Sequence, residues 1–356
     1  VKSGHLPVNH MDAGAAFLKQ KGQEALCSLA LVYAHHQGLP DFIVEMNRGE
    51  TVCYRDTRES VRACFDRELE QLLQLHRQLI PESTGHNPEY CEGDMSMFFR
   101  MVFSCLVDAD HSDTATVYGQ YPKRDTMPKL QPELRLEALN RYVASLGADS
   151  PNRRNELRTQ MYEKCRDGQQ EEGIVSNDGP VGSGKTTAVM AYQLNQAILK
   201  GARRIFVVLP YTNIITQSVE VYREALKLPG EEPETVVAEL HCKADFEDED
   251  TRYLTSLWRA PIIVTTAVAF FETLASNRPG TLRRLHELPG SIIFMDEAHA
   301  ALPLKLLPLA WHWMKVLEKE WSCYWILASG SLVRFWQIPE LVGMEKKQVP
   351  EMVPAN

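Results

Sequence analysis

Apolar residues recur at helical spacing through Ala13–Tyr33, Val61–Leu79, Met95–Val107 and Leu134–Leu146, which predicts a mostly helical first half. Turn-forming stretches interrupt it at Pro40–Thr51, Pro81–Gly93 and Asp113–Pro132, the last carrying Pro122, Pro128 and Pro132. From about Gly173 the pattern changes. Short β-branched or apolar runs at Gly173–Ser176, Ile205–Pro210, Ile262–Thr265, Ser291–Asp296 and Cys323–Ala328 alternate with helix-compatible segments. That alternation predicts a parallel sheet covered on both faces, with ligands at the carboxyl ends of its strands. Asn155–Gly168 reads as a helix and Gln169–Glu172 as a linker. The expected fold class is therefore multidomain: a mostly α-helical domain over residues 1–150, then an α/β domain with a parallel sheet over 151–356.

Composition narrows the setting. A chain of 356 residues, 44% hydrophobic, can bury one or two full cores. No apolar run approaches the length of a membrane span, and the opening Val1-Lys2-Ser3-Gly4-His5 lacks the pattern of a secretory leader. The expectation is a cytoplasmic protein with no membrane partner. The eight cysteines, Cys27, Cys53, Cys64, Cys91, Cys105, Cys165, Cys242 and Cys323, contain no CxxC pair. They are expected to be reduced and mostly buried, forming neither a disulfide framework nor a zinc ribbon. A net charge of -9 excludes a general basic coat for nucleic acid, so any nucleic-acid track must be local.

Two strings carry the chemistry of the second half. Gly179-Pro180-Val181-Gly182-Ser183-Gly184-Lys185-Thr186 fits GxxxxGK[ST] and precedes the helix-compatible run Ala188–Leu199. In that pattern glycines let backbone N–H groups wrap phosphates, a lysine reaches the outer phosphates and a hydroxyl holds magnesium. Gly179, Gly182, Ser183, Gly184, Lys185, Thr186 and Thr187 are the expected residues for ATP and Mg2+. Asp296-Glu297-Ala298-His299 follows the apolar run Ser291–Met295. A strand ending there delivers Asp296 beside the magnesium, together with Thr186, and Glu297 to the attacking water. Lys185, Asp296 and Glu297 are the expected catalytic residues of an α/β RecA-like P-loop domain.

Pro210-Tyr211-Thr212-Asn213 and Ile263-Val264-Thr265-Thr266 each close a strand with small polar groups. In superfamily 2 helicases such strand ends meet the sugar-phosphate backbone, and Thr212, Asn213, Thr265 and Thr266 suit that role. Capping of the following helices explains the same residues equally well. Ala328-Ser329-Gly330-Ser331 resembles helicase motif III, with Ser329 and Ser331 coupling the phosphate site to the track. Trp311, Trp313 and Trp321 read as packing residues, and Asp245–Asp250 as a solvated loop.

In the helical half, His10, His35-His36 and Asp110 stand out, the last closing Leu106-Val107-Asp108-Ala109-Asp110. Imidazole and carboxylate suit manganese, iron or magnesium-type centres that activate water toward phosphodiesters. On spacing alone, a surface histidine pair is the commoner explanation. The order along the chain adds to this. Asn9-His10-Met11-Asp12-Ala13-Gly14-Ala15, Ala34-His35-His36-Gln37-Gly38-Leu39-Pro40, Leu106–Asp110, GPVGSGKTT, DEAH and LASGS together resemble the CRISPR-associated helicase-nuclease of type I systems. That family joins an HD-type metal nuclease to a superfamily 2 DEAH-box helicase. The resemblance implies that His10, His35, His36 and Asp110 bind a divalent transition metal. Asp108 competes with Asp110 for the carboxylate role, and Asp113 is a weaker choice. It also implies ATP-driven, 3′-to-5′ unwinding and cleavage of single-stranded DNA exposed by an RNA-guided CRISPR surveillance complex.

The chain departs from that pattern at both ends. The His-Asp doublet that names the HD site is not found between Val1 and Asn9, and the chain stops at Asn356 before a second RecA-like lobe with its arginine finger. The expectation is an internal fragment, with a partial HD domain and the first helicase lobe, poorly active by itself. Two other readings remain: a DEAH-type RNA or DNA helicase with a non-catalytic helical module, and a scaffold that docks a partner. The scaffold would be marked by loss of Lys185, Asp296 or Glu297, and all three are present.

Overall fold

Long runs of branched and aromatic residues buried on both faces set the architecture of the second half. In the computed structural model, which describes residues 10–79, 93–119, 128–147, 153–169, 171–179, 184–240, 255–298, 303–329, 333–342 and 347–353, six strands form one parallel sheet. They are β1 (Ile174–Asn177), β2 (Arg204–Leu209), β3 (Val237–Leu240), β4 (Ile262–Thr266), β5 (Ser291–Asp296) and β6 (Tyr324–Ala328), in the order β1-β6-β5-β2-β4-β3. The five expected strands form within about a residue of their expected ends. β3 is an addition. It is a short edge strand whose last two residues are only partly buried, so it lacks the continuous apolar run that marks a central strand.

Strand alternation divides the core into two layers. Ile205, Val207, Ile292, Phe294 and Ile326 join one cluster with Val189 and Leu194 of the helix Lys185–Lys200. On the other parity, Phe206 packs edge-on against Trp258 at 5.1 Å, and Trp258 stacks on Phe270 at 5.7 Å. Trp311 and Trp313 are buried, in keeping with a packing role, and Trp321 is intermediate.

The chain divides into two units, residues 1–117 with 276–285, and residues 118–275 with 286–356. The division falls earlier than residue 150 because the helices expected at its border belong with the sheet. Helices α6 (Pro132–Gly147) and α7 (Arg153–Arg166) both pack on α8 (Lys185–Lys200), and α6 also packs on α9 (Thr212–Leu226). A fully buried Arg135 on α6 fastens this layer. Its guanidinium donates to both carboxylate oxygens of Glu231 at 2.9 Å and to the Leu226 carbonyl at 2.8 Å.

The helical unit contains α1 (His10–Lys19), α2 (Leu26–Ala34), α3 (Phe42–Met46), α4 (Glu59–Leu79) and α5 (Met95–Val117). The single helix expected over 13–33 is broken: Gly22, with φ +73°, opens a 3₁₀ turn between α1 and α2. The break expected at Asp113 comes later, since α5 continues to Val117. Pro122 and the loop 245–250 lie outside the described residues. Among the described cysteines only Cys165 and Cys323 are buried, and Cys27 and Cys105 are exposed, which corrects the expectation of mostly buried thiols. Spacing alone did not distinguish core-facing from solvent-facing positions there. No described helix is long and apolar enough to cross a membrane.

Replacing Arg135 by Ala leaves Glu231 and the Leu226 carbonyl without their shared cation. The expected cost is about 3 kcal/mol of unfolding free energy, read by denaturant titration of tryptophan fluorescence.

Candidate functional site

Parallel register brings the nucleotide-handling residues together. Ala328 of β6 pairs with Asn177 of β1 on one side and with Asp296 of β5 on the other, so the three carboxyl ends form one row. The phosphate-loop segment leaves β1 at this row, and α8 begins at Lys185 after Gly184, whose φ of +82° favours glycine. Lys185 donates to Asp296 Oδ1 at 2.5 Å. This pair joins the start of α8 to the end of β5. Thr186 is exposed on the first turn of α8, and Thr187 is half-buried, donating to the Gly184 carbonyl at 3.2 Å. Gly179 is buried at the end of the row, while Gly182 and Ser183 lie outside the described residues.

Glu297 adopts φ +47°, a left-handed conformation that is rare for a residue with a side chain. Its Oε2 accepts a 2.6 Å hydrogen bond from the Ser329 hydroxyl. The Ala298 amide donates to the Ala328 carbonyl, and the Ser329 amide to Asn177. Ser329 thus joins the ends of β1, β5 and β6. Ser331 and His299 lie outside the described residues. Beside the α8 N-terminus, a cavity of about 280 Å³ is lined by Tyr142, Leu146, Asn155, Arg158, Thr186 and Thr187. Sequence reading had not connected α6 and α7 with this site, because nothing local in them signals a ligand.

The four residues expected at a nucleic-acid track separate. Thr212 is half-buried and Asn213 exposed at the start of α9, next to Tyr211, which is 63% exposed. Thr266 is half-buried, and its hydroxyl caps the following helix by accepting from the Ala269 amide at 3.1 Å. Thr265 corrects the expectation: it is fully buried and donates to the Leu240 carbonyl of β3 at 2.9 Å. Its hydroxyl joins two strands and does not face solvent.

In the helical unit, α1 and α2 approach so closely at Gly14 that an added Cβ would stand 2.8 Å from Val32 Cγ1. Four residues from this crossing in sequence lie His10, at the start of α1, and His36, in the turn just past α2, and their Nε2 atoms are 2.8 Å apart. A ligand atom from each of His10, His35 and His36 falls within 4.8 Å of the other two, and Asp110 Oδ2 on α5 is 3.9 Å from His36 Nε2. His35 Nδ1 is 2.6 Å from the Val32 carbonyl, an arrangement that protonates Nδ1 and leaves Nε2 as the donor atom. Burial, then the neighbouring His35, lowers the His36 pKa against the opposing pull of Asp110, which favours the neutral, ligand-competent ring. His111, not singled out from the sequence, also acts on His36 in the lowering direction.

Bonds of roughly 2.0–2.1 Å to a common ion place donors about 3–4 Å apart, and the three histidines, within 4.8 Å of one another, come near that spacing and could hold a divalent ion after a small side-chain adjustment. Imidazole with carboxylate suits manganese, iron or zinc better than calcium. Asp108 takes a different role, accepting from Arg283 Nε at 2.6 Å. Asp12 is also committed elsewhere, held by Arg55 in a two-pronged pair at 2.8 and 2.9 Å.

Residues 160–318, most of which lie in the sheet unit, match the model of the DEAD/DEAH box helicase family. The fold is similar to that of T. fusca Cas3 over most of the chain. Structural alignment with T. fusca Cas3-AMPPNP gives a TM-score of 0.57 at 17% identity over 93% of this chain. The ADP form gives 0.53 at 17% over 94%, and the ATP form 0.52 at 18% over 92%. The chain spans about 40% of that protein's length. No curated protein matches it in sequence.

Two neighbouring carboxylates on α5 should behave oppositely on neutralisation. Asp108→Asn is expected to cost about 1–3 kcal/mol through its lost pair with Arg283, whereas Asp110→Asn stays within about 0.5 kcal/mol in metal-free thermal melts.

Proposed function

We propose that this chain forms part of an ATP-dependent DNA helicase and metal-dependent nuclease that degrades foreign DNA in CRISPR interference, acting on single-stranded DNA delivered by an RNA-guided surveillance complex. The observation that carries the reading is the grouping of His10, at the start of α1, with His35 and His36, just past the end of α2, at a spacing close to that of metal ligands, with Asp110 of α5 beside His36. It accompanies a helicase domain and the Cas3 fold in the same chain.

On the motor side, Lys185 exchanges its Asp296 partner for the outer phosphates of ATP. Thr186 and the released Asp296 would hold Mg2+, and the cavity lined by Tyr142 and Asn155 adjoins this end of α8. Glu297, oriented by Ser329, accepts the proton of the attacking water. Asn213 and Thr212 meet the DNA backbone at the start of α9.

On the nuclease side, His10, His35, His36 and Asp110 would hold the metal. A divalent ion there would polarise a phosphodiester and acidify water for attack. The neutral state of His36 keeps its lone pair available near pH 7.

In the intact protein, Lys185→Ala should abolish nucleotide binding, while Glu297→Gln binds ATP but stops turnover, read by nucleotide fluorescence and phosphate release. Wild-type turnover in both variants would remove the motor assignment. His36→Ala should eliminate manganese-dependent cutting of single-stranded DNA and leave DNA-stimulated ATPase intact. Cutting that persists in EDTA would count against the metal centre.

A further inference from the structure

A ten-residue segment, Ser276–Leu285, leaves the helicase sequence between β4 and β5 and belongs to the helical unit. Its attachments fall on the loop after the histidine pair and on α5. The Leu39 amide, three residues beyond His36, donates to the Asn277 carbonyl at 2.8 Å, and Asn277 Nδ2 reaches the Leu39 carbonyl at 3.4 Å. Gly38 makes this seat possible. With φ +97°, it stands so close that a Cβ would lie 2.6 Å from the Asn277 carbonyl oxygen. On α5, Arg100 donates to the Ser276 carbonyl at 2.5 Å. Arg283 grips Asp108 at 2.6 Å and Ser112 at 3.1 Å, two residues one turn apart on the same face. Asp110 lies midway between them in sequence and therefore projects from the opposite side of the helix, where it faces His36.

The geometry points to Ser276–Leu285 as a positioning strap for the metal cluster, with Arg283 setting the rotation of α5 and Asn277 seating the loop after the histidine pair. This rests on reading the cluster as a metal centre. A carboxylate about 5 Å from a helix axis moves by about 2 Å when the helix turns by roughly 20°. Metal bonds tolerate about 0.2 Å. A guanidinium fork holding two groups on one helical face opposes that rotation, as a single contact would not. Arg283 and Asn277 are positioning residues: neither is among the donors, and each acts through an element that carries one.

Binding of Mn2+ to the full chain, read from loss of the free-ion EPR signal, tests the strap without a cleavage assay. The unaltered chain should bind and His36→Ala should not. Arg283→Gln should weaken binding about tenfold or more, the range seen when partners behind metal ligands are removed. Arg283→Lys, which restores a cation opposite Asp108 but not the grip on both groups, should recover only part of that loss. Gly38→Ala should also weaken binding, and Ser112→Ala should do so about threefold. If Arg283→Gln and Gly38→Ala fold by circular dichroism and bind as tightly as the unaltered chain while His36→Ala does not bind, the strap is packing alone and the inference fails. If His36→Ala binds normally, the metal-centre reading fails first and takes the strap with it. Should Arg283→Gln not fold, Gly38→Ala and Ser112→Ala decide by the same criterion.

Discussion

The nucleotide-handling half depends on the register of one parallel sheet. Because Asn177, Ala328 and Asp296 align across β1, β6 and β5, three segments distant in sequence end at the same level. Parallel strands expose their carboxyl ends on one edge, where helix N-termini also begin, so charge of opposite sign accumulates there. The Lys185–Asp296 pair and the Ser329–Glu297 hydrogen bond are consequences of that alignment. A one-residue slip of β6 would move Ser329 away from Glu297 and reverse which side chains enter the core.

The helical unit uses a different device, close helix approach stabilised by buried charge. Gly14 lets α1 reach α2, and Arg55 holds Asp12 of α1 together with Asp66 of α4. Asp12 is fully buried and Arg55 nearly so, a costly arrangement unless both are bonded, as they are. The result fixes the start of α1, where His10 lies. The polypeptide passes between the two units three times, at 117–118, 275–276 and 285–286. The last two passages bracket the strap, and the chain then enters β5, the strand that carries Asp296.

Much of this was legible from local patterns. The five central strands announce themselves as uninterrupted apolar runs, and GxxxxGK[ST] followed by DEAH requires a phosphate site at their ends. Thr266 shows the limit of such reading, since its hydroxyl caps a helix, as the alternative reading allowed. Thr265, one residue earlier, lies in the stretch of β4 that is buried on both faces, and its hydroxyl donates to a β3 carbonyl. Asp108 and Asp110 were indistinguishable from spacing, because both end the same apolar run. Helical rotation separates them by about half a turn, toward Arg283 and His36 respectively.

By itself the sequence determined that helices precede an alternation of strands and helices, the five strands expected from apolar runs, and the residue types available for chemistry, since these follow from local periodicity and short-range motifs. Tertiary structure alone decided which carboxylate faces the histidines, that α6 and α7 line the cavity beside Thr186, and that a segment from the helicase sequence braces α5. The physical reason is separation along the chain. Arg283 and Asp108 are 175 residues apart, and no local propensity of either encodes the other. Their meeting is specified only by the packing of whole elements.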